Sequence, residues 1–217
     1  MGKIILTPLP KEPVSRPPIS GRLRITDPSG IEVRGGDEMT VSEFLLQNAE
    51  KNKCFLYGIV DSARNDEVFR FLITGDAQYR SLFEGTMDVQ SYGVSGFLVE
   101  CKSESPLFQW MTSEAWGDHC CIYFISEASF DELFEHFQQF NRVYLEDDEV
   151  VLFRYYDPRV LRKYLPTCDD EEIDIFFGEV KIYFAESKDP GIMHIYTKND
   201  RADTGKLHIS SVRIKTI

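Results

Sequence analysis

Short, nearly unbroken apolar runs alternate along this chain with stretches whose apolar residues return every third or fourth position. The runs read as strands with both faces buried, and the spaced stretches as helices with one buried face. Thr40-Val-Ser-Glu43 is a capping box, with Val41, Phe44, Leu45 and Ala49 following on one helical face. A strand is predicted over 54–60, ending in Asp61-Ser62-Ala63-Arg64-Asn65. A helix from about Asp66 then turns Val68, Phe69 and Leu72 inward. Residues 79–83 form a short strand or turn, and 96–100 a strand. Ser105 and Pro106 open a helix as N-cap and first residue, and Gly117 is placed to end it. Residues 120–125 read as another buried strand, and Ser129-x-x-Glu132 as a second capping box. Phe130, Leu133, Phe134, Phe137 and Phe140 follow that box at helical spacing.

The densest junction lies between Glu149 and Pro166. Val150, Val151, Leu152 and Phe153 predict a buried strand that runs directly into a helix. Asp157 can accept from the N–H of Arg159 or Val160, Pro158 suits the first helical position, and Pro166 stops the helix. Residues 143–145 and 150–153 flank Glu146-Asp147-Asp148 and predict an antiparallel hairpin. Thr167-x-x-Asp170 is read as the opening of a further helix, Gly178 as its end, and 180–185 as a strand. Residues 1–20 carry Pro8, Pro10, Pro13, Pro17 and Pro18 and read as an extended arm, followed by a small hairpin about Asp27-Pro28-Ser29-Gly30. Beyond Lys188 a hairpin of 193–196 and 207–214 is predicted. The expected organisation is therefore an arm over 1–40, a core over 41–187 and a hairpin extension over 188–217. Strand–helix alternation predicts an α/β layered single domain, and the 143–153 hairpin makes its sheet mixed. That sheet is expected to contain 54–60, 120–125, 150–154 and 180–185, with the 40–52 helix packed on it.

A length of 217 residues with 42% apolar content is enough for one substantial core. Lys plus Arg number 24 against 36 Asp plus Glu, a net charge of -12, which argues against nucleic acid as a partner. The five cysteines, at 54, 101, 120, 121 and 168, are odd in number and lack zinc spacing. They read as reduced, mostly buried thiols of a reducing compartment, with Cys120 and Cys121 on opposite strand faces. No apolar run approaches the ~18 residues of a membrane span, and the N-terminal residues lack a signal-peptide pattern.

Candidate chemistry is sparse. Phosphate-binding glycine loops and His-Glu-x-x-His are absent, and Gly93-Val-Ser-Gly96 is one residue short of a nucleophile elbow. Asp174 with Glu179-Val-Lys181 has a faint metal-nuclease spacing that arises readily by chance. His136 reads as exposed on the helix side away from the Phe stripe, and His119 as structural. The corners at Asp61 and Asp157, each with a neighbouring Arg, are the one enzyme-like constellation, because ligands of α/β sheets bind at strand ends. The ordinary reading is a pair of helix caps with ion pairs. Arg154 is expected to bridge the corners through Asp61, Asp157 or both, since an unpaired buried charge is costly.

Several segments, in this order, resemble a bacterial domain-of-unknown-function family of type VI secretion system effector chaperones, or adaptors. They are Tyr57-Gly-Ile-Val-Asp-Ser-Ala-Arg64, Leu82-Phe-Glu-Gly-Thr86, Pro106-Leu107 with Trp110, Trp116-Gly117-x-His119 and Leu152-Phe-Arg-Tyr-Tyr-Asp-Pro-Arg-Val-Leu161. The resemblance covers roughly 54–186. It implies a cytoplasmic, non-enzymatic protein of a Gram-negative bacterium, without cofactor or metal. Its implied partners are a cognate toxic effector and the valine–glycine-repeat spike protein onto which that effector is loaded. Nucleic acid and membrane insertion are not expected. The motif positions, Asp61, Trp116, Gly117, Phe153, Arg154, Tyr156, Asp157, Pro158 and Arg159, are expected to define the fold or a binding surface rather than to catalyse. The alternatives are a small hydrolase or nuclease using Asp61 and Asp157, and a structural subunit of the secretion apparatus.

Overall fold

The structure, a computed structural model, describes residues 39–75, 77–84, 96–144, 150–199 and 206–216. The Pro-rich arm and the hairpin about residue 28 lie outside them. A seven-stranded sheet forms the middle layer, in the order β2-β3-β1-β4-β7-β8-β9. Its strands are β1 (Phe55–Asp61), β2 (Tyr79–Ser81), β3 (Gly96–Glu100), β4 (Cys121–Ser126), β7 (Val180–Glu186), β8 (Ile192–Lys198) and β9 (Leu207–Arg213). A separate ribbon pairs β5 (Arg142–Tyr144) with β6 (Val150–Leu152).

Alternation along the central strands divides the core in two. Leu56 and Val60 of β1, with Cys121, Tyr123 and Ile125 of β4, face one cluster. Helices α1 (Val41–Asn52), α2 (Glu67–Thr74) and α3 (Pro106–Thr112) cover that face. Tyr57 and Ile59, with Ile122 and Phe124, face the other cluster. There α4 (Phe130–Gln138), α5 (Pro158–Tyr164) and α6 (Asp170–Phe177) supply Phe134, Phe137, Leu161, Tyr164 and Phe176. Each fully buried Phe or Leu contributes about 1.5–3 kcal/mol. The α/β layered single domain is as expected.

The sheet itself is antiparallel at every described pairing between its strands, not mixed. Helices on both faces give an antiparallel sheet the doubly buried runs usual in parallel ones, so burial does not report strand direction. The 150–154 segment does not join this sheet. It pairs locally with β5, and Leu152 is 51% exposed. The hairpin after Lys188 is present as β8 and β9 and continues the sheet from β7.

Local signals resolve as the chemistry demands. Thr40 and Ser129 close the two expected capping boxes. Ser105 makes no cap hydrogen bond, and Thr112 rather than Gly117 ends α3. Asp169, not Thr167, caps α6, accepting from the N–H groups of Glu171 and Glu172. The Thr167 hydroxyl instead donates back to the Tyr164 carbonyl at 2.7 Å. Five free thiols are present, three of them buried. Cys120 and Cys121 share one core cluster rather than opposite faces. His119 has φ 56°, so the strand alternation begins only after Cys120.

Candidate functional site

β1 and β7 both run antiparallel to β4, which lies between them, so their carboxyl ends share one sheet edge. Each ends in a buried acid. Asp61 is fully buried and Glu186 is 2% exposed. Asp61 Oδ1 accepts from the Ala63 N–H at 2.9 Å, and Oδ2 accepts from the Arg154 guanidinium. The Asp61 N–H donates to the Cys120 carbonyl at 2.7 Å, which fixes the acid's position beside the start of β4. Burial pushes the Asp61 carboxyl above its ordinary value, and Arg154 and the Ala63 N–H counter that rise only in part.

Glu186 is held from the other side of the edge. Its Oε2 accepts from the Gly117 N–H at 2.5 Å, and its Oε1 lies 2.7 Å from His119 Nδ1. Burial holds Glu186 above the usual carboxylate range, against the pull of His119 and the Gly117 N–H. Gly117 has φ 104°, a conformation that favours glycine. The Trp116 indole N–H donates to the Pro190 carbonyl at 2.7 Å, tying the turn after α3 to the β7–β8 connection. Arg162 of α5 donates to the Glu186 carbonyl at 2.5 Å.

The 153–159 corner sits over the α4–α6 face. Phe153 packs edge-on against Tyr164, 4.8 Å between ring centroids. The buried Tyr156 ring lies over Gly96, where an added Cβ would come within 2.8 Å of it. Asp157 caps α5 through the Arg159 N–H at 2.8 Å. Its two oxygens also take the Arg159 side chain, with Nη2 at 2.6 Å from Oδ2. Burial acts to raise the Asp157 carboxyl, but the Arg159 side chain and N–H together bring it below the ordinary value. Pro158 is buried at the first helical position. Of the two aspartates offered to Arg154, Asp61 takes the guanidinium and Asp157 pairs with Arg159.

Asp61, Arg154, Tyr156, Asp157, Pro158 and Arg159 thus share one corner. Trp116 and Gly117 belong to a second node on the same edge, centred on Glu186. Glu186 escaped the sequence reading, which ended that strand at Ala185. Its signal was available: a charge closing an apolar run, like Arg154. His136 is half-buried rather than exposed, because its Nε2 reaches the Phe176 carbonyl at 3.1 Å and its ring meets Phe137 and Phe140. The nuclease-like spacing does not assemble, since Asp174 pairs with Lys198 and Lys206 and Lys181 pairs with Glu127. Among the described residues no group of three or more His, Cys, Asp or Glu could hold a metal ion. No described helix is long and apolar enough to cross a membrane.

The family model for Domain of unknown function (DUF4123) matches residues 56–174, more than half of the chain. The chain belongs to the DUF4123 family. No curated protein and no solved structure matches it. The DUF4123 match takes in Asp61, the Trp116–Gly117 turn and the 153–159 corner. Strands β7, β8 and β9, with Glu186, lie beyond the matched span. The Glu186 node therefore joins family residues to a part of the chain outside the match.

Proposed function

We propose that this DUF4123 protein is a non-enzymatic adaptor. It holds a toxic effector and helps load it onto the spike-tip protein of a type VI secretion system. The secretion assignment rests on the motif resemblance, above all on Leu152-Phe-Arg-Tyr-Tyr-Asp-Pro-Arg-Val-Leu161. The observation that carries the non-enzymatic part is the occupation of both candidate aspartates. Asp61 is divided between Ala63 N–H and Arg154, and both oxygens of Asp157 are engaged by Arg159. A general base needs an oxygen within reach of a substrate proton. These oxygens are turned to the fold.

The decisive experiment is a pull-down with this chain as bait in a lysate of its own host, compared with Asp61→Asn and Asp157→Asn. The adaptor reading expects a toxin and a spike protein in the eluate. It also expects the variants to lose binding only as far as they lose melting temperature. A hydrolase or nuclease would show turnover that vanishes in a variant of full stability. A structural subunit would co-purify with assembled apparatus even after the effector is deleted.

A further inference from the structure

A cleft of about 770 Å³ opens between α5 and the outer strands β8 and β9, next to the Glu186 node. Its volume falls within the ~300–1,000 Å³ common for ligand clefts. Among the described residues its lining holds Arg159, Arg162, Lys163 and Lys188 and no carboxylate. That runs against the rest of the chain, where 36 acids outnumber 24 Lys plus Arg. Two of the cations are fixed by the fold: Arg159 lies on Asp157, and Arg162 donates to the Glu186 carbonyl. The other two, Lys163 and Lys188, are exposed and have no ion-pair partner among the described residues. One wall is apolar, formed by Ile209, which is 41% exposed and pairs in register with the buried Tyr196.

We infer that this cleft binds an acidic segment of a partner polypeptide, with carboxylates on Lys163 and Lys188 and an apolar side chain on the Ile209 wall. Charge complementarity selects an anion. The apolar wall selects a peptide over a bare phosphate, which would gain nothing from it. The net charge of -12 disfavours nucleic acid, whose long phosphate backbone needs an extended basic footprint. The inference goes beyond the adaptor reading and stands on the cleft alone.

The test uses the purified full chain and the fluorescence anisotropy of a labelled peptide of Glu-Glu-Leu repeats. The control is the same peptide with Gln in place of Glu. Binding of the Glu peptide is expected to weaken steeply with added salt. It is expected to fall by about tenfold in Lys163→Glu/Lys188→Glu at unchanged melting temperature. Lys163→Gln/Lys188→Gln, which removes charge without reversing it, is expected to lose less. The inference is overturned if the Glu peptide fails to bind or if the Gln peptide binds equally well. It is likewise overturned if a folded charge-reversal or neutralised variant keeps full affinity. Displacement by millimolar inorganic phosphate would make the site one for a compact anion. Tighter binding of a single-stranded oligonucleotide would make it a nucleic-acid site. No effector enters this assay, so its failure leaves the host-lysate experiment unaffected.

Discussion

Asp61 with Arg154 and Asp157 with Arg159 are the same two functional groups in the same corner, yet their environments differ. The first pair closes over 93 positions of sequence and its acid has no exposure. The second closes over two positions, and its acid also caps a helix. Burial dominates at Asp61 and raises its carboxyl, whereas the Arg159 fork and the capping N–H prevail at Asp157 and lower it. An arginine beside an aspartate does not by itself decide the sign of the shift. The number of donors and the depth of burial do.

The strongest way to break the comparison is Arg154→Ala. It leaves a buried acid with one N–H donor, and is expected to cost about 3 kcal/mol in urea unfolding at neutral pH. The lower end of the buried-pair range applies because the Arg154 side chain is 39% exposed. Arg154→Lys should recover part of the loss, since a lysine lacks the planar fork. A wild-type unfolding curve for Arg154→Ala would remove the distinction between the pairs. Asp157→Ala comes next, with about 1 kcal/mol lost with the cap, read as a lower melting temperature. Arg159→Ala should cost less, about 0.5 kcal/mol, because the pair closes over only two positions and the Arg159 side chain is 42% exposed. A loss equal to that of Arg154→Ala would show that sequence distance and burial do not separate the two.

The subtlest contrast is in pH. The folded-state value of Asp61 is raised above the ordinary 3.8, so its contribution to stability is present below that value and is lost as pH rises through the folded value. Asp157 has the opposite sign. Its folded-state value is lowered, so its contribution is present above 3.8 and is lost as pH falls through the folded value. Melting temperature followed across the acid range should therefore rise more steeply with pH in Asp61→Asn than in wild type, and less steeply in Asp157→Asn. Slopes that move in the same direction in both variants would contradict this account.

What could be read from the sequence was whatever a few neighbouring residues decide. The Thr40 and Ser129 boxes and the Asp157 cap depend on side chains reaching the next turn, and all three form. Thr167 shows the limit of that reading: its hydroxyl had a nearer carbonyl acceptor, and Asp169 took the cap. Strand identity was legible from apolar runs, but strand direction and partner were not. Val150–Leu152 reads like β4 in sequence, yet it pairs in a local hairpin and not with the seven-stranded sheet. Arg154 could be paired with Asp61 in advance because a charge at the end of a buried run must be answered. The same logic applied to Glu186. Its partners, the Gly117 N–H and His119, lie at separations of 69 and 67, and nothing local to Glu186 points to them.

Those separations also set an order of assembly. The turn after α3 is tied by the Trp116 indole to Pro190 and by the Gly117 N–H to Glu186, so a chain emerging from the ribosome holds that turn long before its anchors exist. Asp61 waits in the same way for Arg154. Each closure must gather a long loop before it yields a bond. The Gly117 amide therefore gains its acceptor only once β7 is in place. Pulse-labelled hydrogen exchange during refolding should find the Gly117 amide protected no earlier than the amides of β7.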